Sequence, residues 1–355
     1  MNGRKIVGML VLIGSLVGGI IVLSDDGPSI ENPPSQGTTQ SPRNGGTPSV
    51  GAIGDRTPFQ ISEECAGCHQ DVWDEWTTSY HAKAWTDPMV RRLADGFRMT
   101  ECIDCHAPQP IHVTGVDQRV APRQHSRSDG VDCLSCHLLD DGVSVAAGRT
   151  VDTSAVAGAC RPKETPSMRD SSSCVGCHNQ HETVDEVLAS NTGKTCLDCH
   201  METVERSAKD GRSARKGHSH RFPGAHEVFM HKRATTFAAE VKGDEFLAFT
   251  TNSGGAHHIP TDARHRSYNV WITLLDESGN VLLEETQMAD AEYRLYYRNQ
   301  FRPSTQIRHA ETKVARWPVP AGMHGKARIR LTYALNPEIL QAGEMNEVHV
   351  VEVTY

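Results

Sequence analysis

Residues 65–69 read Cys-Ala-Gly-Cys-His, and the pattern Cys-x-x-Cys-His returns at 102–106, 133–137, 174–178 and 196–200. Cysteines at i and i+3 share one face of a helical turn. Two such thiols can each form a thioether to one vinyl group of a porphyrin, and the histidine that follows then lies beneath the iron as an axial ligand. Zinc sites and disulfides also use paired cysteines, but neither calls for a histidine directly after every second cysteine. A redox-active Cys-x-x-Cys occurs singly. The five repeats therefore predict five haem c groups and five irons. The attachment residues are Cys65, Cys68, Cys102, Cys105, Cys133, Cys136, Cys174, Cys177, Cys196 and Cys199, and the proximal ligands are His69, His106, His137, His178 and His200.

Composition agrees with a cofactor-filled interior. The chain has 355 residues, 37% hydrophobic and only 6% aromatic, a thin supply of core side chains for this length. Five porphyrins packed between Cys65 and His200 would supply the missing apolar bulk. A formal net charge of -8 argues against nucleic-acid binding. The basic run of Arg212, Arg215, Lys216, Arg221, Lys232 and Arg233 either offsets haem propionates or forms a solvated surface.

Of the 19 histidines, 14 remain after the proximal ligands are assigned. A second imidazole on an iron closes the site and suits outer-sphere electron transfer; its absence leaves a position for a small molecule. His81, His125, His181 and His220 are the leading candidates for sixth ligands by position. His112, His218, His226, His257 and His258 are further candidates. Cys160 stands outside the repeats; a free thiol, a thiolate ligand and an intermolecular disulfide all remain open for it.

The stretch CAGCHQDVWDEWTTSYHAKAW from Cys65 resembles the opening of multihaem cytochromes related to the tetrahaem electron carrier of ammonia-oxidising bacteria. DGVDCLSCH, ending at His137, is similar to a segment of the same group. HRFPGAH, from His220 to His226, resembles a distal-histidine segment of the wider superfamily that includes hydroxylamine oxidoreductase and cytochrome c nitrite reductase. The resemblance spans about residues 60–230. It implies that His81 serves a haem other than the one attached beside it, and that the haems are attached outside the cytoplasm. The nitrite reductases of that superfamily usually carry a CxxCK motif, which this chain lacks, and hydroxylamine oxidoreductase needs more haems than five motifs provide.

Beyond Lys232 the texture changes to alternating apolar and polar residues over 236–241, 245–250, 268–275, 281–285, 310–319, 327–333 and 348–353, with a hairpin turn at Glu277-Ser-Gly-Asn280. Seven short strands predict an antiparallel β-sandwich. Asn252-Ser-Gly-Gly-Ala-His257-His258 resembles a segment found where such β domains follow multihaem domains, which is why either histidine is a candidate ligand. At the other end, Arg4 and Lys5 precede an uncharged run from Ile6 to Leu23, followed by Asp25 and Asp26. As a helix this run measures roughly 27 Å, enough to cross hydrocarbon, and the charges place the remainder outside. A cleaved signal sequence is the alternative; both readings export the chain. Residues 24–58 are rich in Pro, Gly, Ser and Thr and read as a flexible linker.

The expected protein is an α + β two-domain chain. Residues 1–23 are a transmembrane anchor or signal sequence, 24–58 a linker, 59–233 a short-helix and loop pentahaem domain, and 234–355 a β-sandwich. The first expectation of function is electron transfer between a redox-protein donor and acceptor in a respiratory chain on the periplasmic side of the membrane. The alternatives are an enzyme acting on a small nitrogen or sulfur compound at one open haem, and a wiring subunit of a larger respiratory complex.

Overall fold

A helix of four or five residues does not hold itself together in water, yet four of the five motifs are built on such helices. The computed structural model describes residues 61–150, 160–179, 182–207, 214–261, 266–289, 306–335 and 346–355. Its helices are α1 (Ala66–Thr78), α2 (Pro88–Leu93), α3 (Ile103–His106), α4 (Ile111–Thr114), α5 (Cys133–His137), α6 (Val175–His178), α7 (Thr183–Ala189), α8 (Cys196–His200) and α9 (Val228–Ala234). Local capping supports several of them. Asp132 accepts from Ser135 N at 2.8 Å at the start of α5, and Thr195 N donates to Asp198 at 2.7 Å at the start of α8. The first motif belongs to the longer α1, where the backbone kinks at His69.

Apolar packing within the motif region is sparse. Ala94, Phe97 and Ile103 form a small cluster there, flanked by Trp85, Val90 and Cys102. Long-range polar contacts do the remaining joining. Arg206, 8% exposed, ties the hairpin of β3 (Thr203–Arg206) and β4 (Arg215–His218) to α1 through Glu75 at 2.7 Å and Asp71 at 3.1 Å. Two further short strands, β1 (Val145–Ala147) and β2 (Pro162–Glu164), pair in parallel.

All seven expected strands after Lys232 are present: β5 (Thr235–Lys242), β6 (Glu245–Asn252), β7 (Ser267–Leu275), β8 (Val281–Ala289), β9 (Thr312–Pro318), β10 (Lys326–Ala334) and β11 (Asn346–Thr354). They form two antiparallel sheets, ordered β11-β10-β7-β8 and β5-β6-β9. The Asp276 carboxylate closes the β7–β8 hairpin by accepting from Ser278 N and Asn280 N. The period-two alternation (β10 reads exposed, buried, exposed, buried over its first four residues) sends one face of each sheet inward. Phe246 and Ala248 on β6, Val270, Ile272 and Leu274 on β7, Trp317 on β9, Ile329 and Leu331 on β10 and Val348 on β11 share one apolar core. This core contrasts with the sparse clusters of the motif region, as expected if porphyrins fill that region.

Among the described residues no helix is long and apolar enough to cross a membrane. The anchor expected at residues 6–23 and the linker at 24–58 lie outside the described residues, as does His181.

Candidate haem sites

Three candidate sixth ligands face three motif histidines across nearly equal gaps. The ring centres of His81 and His178 lie 6.1 Å apart, those of His137 and His220 6.2 Å, and those of His200 and His257 6.3 Å. Two imidazoles sharing one metal through nitrogen bonds of about 2 Å leave their centres about 6 Å apart, so each gap fits one iron. The partners come from distant parts of the chain, which only the tertiary fold can unite.

Hydrogen bonding presents the right nitrogen. Nδ1 of His106 donates to Ala84 O (2.8 Å), that of His137 to Ala146 O (2.9 Å) and that of His200 to Pro223 O (2.7 Å). His220 and His257 do the same with the carbonyls of His218 (2.9 Å) and His258 (3.0 Å). A carbonyl only accepts, so these bonds fix the tautomer and leave the Nε2 lone pair for a metal. Burial, reinforced by the neighbouring His178, holds His81 down at about 3. His220 and His257 are held at about 4, again chiefly by burial. All three are neutral near pH 7, the state a metal requires. Two buried ring nitrogens, Nδ1 of His81 and Nε2 of His112, have no hydrogen-bond partner. A buried polar atom left unpaired is costly, and an iron would satisfy it.

The segments around the rings explain the motif residues. Gly130 N–Cα–C packs under the His81 loop, where Val131 N donates to His81 O at 3.0 Å, and Trp76 Nε1 in turn donates to Val131 O at 2.9 Å. A side chain at Gly130 would collide with the His81 carbonyl, and the residue has φ +63°. Glu75 accepts from His220 N at 2.8 Å while paired to Arg206, so it fixes the third site's imidazole. Phe222 lies edge-on to both His81 (4.3 Å) and His220 (5.8 Å). Sequence reasoning singled out none of Glu75, Gly130 or Phe222 as site residues.

The remaining candidates sit differently. His112 is half-buried on α4 and hydrogen-bonded to the Cys136 backbone. His125 is exposed. His218 is exposed at the end of β4, with Nδ1 donating to Met201 O at 2.6 Å. The ring of His226 stacks on Tyr80 at 3.3 Å. His258 pairs with Glu186 at 2.9 Å. Cys160 lies close enough to Cys68 for that thiol to help raise its own titration, after burial as the first cause.

The motifs adjoin one another. The thiols of Cys65 and Cys133 lie close enough to perturb one another's titration, as do those of Cys105 with Cys177 and Cys174 with Cys196. The first motif thus touches the third, and the fourth touches both the second and the fifth. Phe222 spans the third and fourth sites.

Residues 64–138 match the family described as cytochrome c554 and c-prime, and residues 167–205 match the doubled CXXCH motif. The chain is a multihaem c-type cytochrome. It carries multiple haem c groups. The cytochrome is similar in fold to a penta-heme cytochrome c552 from Thermochromatium tepidum, with a TM-score of 0.62 and 21% identity, over 83% of this chain and 99% of that one. That share reaches past the motifs into the strands. A CARDB domain from Pyrococcus furiosus covers 34% of the cytochrome at a TM-score of 0.17, too low to carry an argument. No curated protein matches the sequence.

Proposed function

We propose that this cytochrome transfers electrons through five contiguous haems and that His81, His220 and His257 are the sixth ligands of the fourth, third and fifth haems. The observation that carries the reading is the set of three imidazole pairs at 6.1–6.3 Å, in motifs that adjoin by their attachment thiols. In this reading His69, His106, His137, His178 and His200 are proximal ligands, and the ten motif cysteines attach the porphyrins. His112, with Nε2 buried and unpartnered, serves one of the remaining two haems. Haem supplies one-electron chemistry; the protein's part is to close the irons with imidazole and keep the groups adjacent. The resemblance to the tetrahaem carrier of ammonia-oxidising bacteria supports this reading.

The organisation proposed is a pentahaem domain over 59–233 and a β-sandwich over 234–355, exported and held at the membrane by residues 6–23. Its partners are a redox-protein donor and acceptor of a respiratory chain. Electron paramagnetic resonance of the oxidised, fully haem-loaded protein and carbon monoxide binding to the reduced form test the ligation. The expected result is at least three low-spin haems inert to carbon monoxide. Binding at three or more haems would overturn the reading.

A further inference from the structure

The sequence leaves His257 and His258 equivalent, but the structure separates them. His257 turns to His200, with ring centres 6.3 Å apart. His258 turns to α7, between the fourth and fifth motifs, where one carboxylate grips it twice. Glu186 Oε1 lies 2.9 Å from His258 Nδ1, and Oε2 accepts the His258 backbone N–H at 3.0 Å. The Glu186 side chain is only 9% exposed.

The same loop is held from the strand side by Asn252. Its Nδ2 donates to His257 O (2.9 Å) and to Ile307 O (3.1 Å), and its Oδ1 accepts from Gly255 N (3.0 Å). His309 Nδ1 adds a bond to Gly255 O (2.8 Å). Those contacts shape the loop within its own region. They do not fasten it to the motif region. Glu186 does, and it acts on the peptide between His257 and His258, next to the residue whose imidazole faces the fifth motif. Fixing both the N–H and the ring of His258 removes the backbone rotation by which His257 would swing away, an ordering cost otherwise charged to each closure of the site.

We infer that Glu186 is a positioning residue: through His258 it latches the β-region loop onto the motif region and holds His257 on the iron of the fifth haem. This rests on the proposed ligation by His257. Outer partners of metal ligands typically change ligand affinity about 10–100-fold when removed.

The experiment uses the full-length, five-haem protein as unmodified, Glu186→Ala, His258→Ala and His257→Ala forms, with carbon monoxide binding to the reduced protein as the readout. Haem content and far-ultraviolet circular dichroism check integrity. His257→Ala is expected to open one haem completely. Glu186→Ala is expected to raise the carbon monoxide-accessible fraction of that same haem about tenfold, with the other four unchanged. His258→Ala, which keeps the N–H bond and loses the ring contact, is expected to fall between them. If His257→Ala opens a haem and Glu186→Ala matches the unmodified protein, the latch is wrong and the ligation stands. If His257→Ala opens nothing, the ligation fails and the latch with it. Should Glu186→Ala not assemble, His258→Ala decides: an unchanged fifth haem overturns the inference.

Discussion

A methyl group on Gly130 would stand 2.5 Å from the carbonyl oxygen of His81 and 2.9 Å from that of Ala82, at a backbone φ of +63°. The positive-φ extended backbone (ψ −134°), a region open essentially to glycine, costs an alanine about 1–3 kcal/mol, and the collision pushes the His81 loop off its seat. Gly130→Ala is therefore expected to lower stability by at least that amount and to make the fourth haem partly reactive to carbon monoxide; a haem that stays inert would separate Gly130 from ligand placement. Phe222 offers a second test at this scale. Its ring shields two facing imidazoles at once, so Phe222→Ala should admit water and lower the reduction potentials of the third and fourth haems. Spectroelectrochemical titration reads the shift, and unchanged potentials would reduce the ring to packing. Neither residue was singled out as a site residue beforehand, although both lie in quoted segments, because the His81 that each one supports is distant in the chain. Glu75 and His220, likewise, are 145 residues apart, and no spacing rule reaches that far. His81 and His220 were legible as leading candidates and His257 as a further one; the fold selected among the candidates.

The motif helices depend on their first turn. Asp132 caps α5 and also pairs with Arg123 at 2.8 Å, with exposures of 2% and 14% for the acid and the base. Loss of one partner of a buried pair typically costs about 3–5 kcal/mol. Asp132→Ala should show a loss of that order in denaturant unfolding; a loss below about 1 kcal/mol, the worth of the cap alone, would mean the pair adds nothing. Helix α9 carries a different dependence. His231 Nε2 donates to Ala225 O at 2.9 Å, so Nδ1 accepts from the Tyr268 hydroxyl at 2.7 Å. Burial, then the Arg266 charge, holds this imidazole below its ordinary 6.5. The unfolded chain takes up the proton more readily, so the stabilisation is complete above about pH 6.5 and declines as pH falls. Comparing unfolding of His231→Gln with the unmodified protein at pH 7.5 and 5.5 should show a larger stability gap at the higher pH. The strands were legible where helices were not. Alternation with period two is a local signal, whereas the motif helices are set by what attaches to them.

The described residues belong to one compact unit. Arg233 pairs with Glu202, Glu186 holds His258, and α9 packs on β11, so the motif region and the strands are fastened at several points. Thermal unfolding followed by Soret absorbance and by the far-ultraviolet strand signal should therefore give one coincident transition; two separate midpoints would show that the regions melt independently. The sequence divides these regions cleanly by texture, and of the contacts that bind them it marks only the His257-His258 loop, as candidate ligands. The position of His257 also sets a timetable. A chain made from its N-terminus presents all five attachment motifs before the loop after β6 exists. On the proposed ligation, the fifth motif emerges ahead of the loop that carries its second imidazole. Assembly then ends with the strand region folding down and capping a site that had until then been accessible to the machinery that fills it.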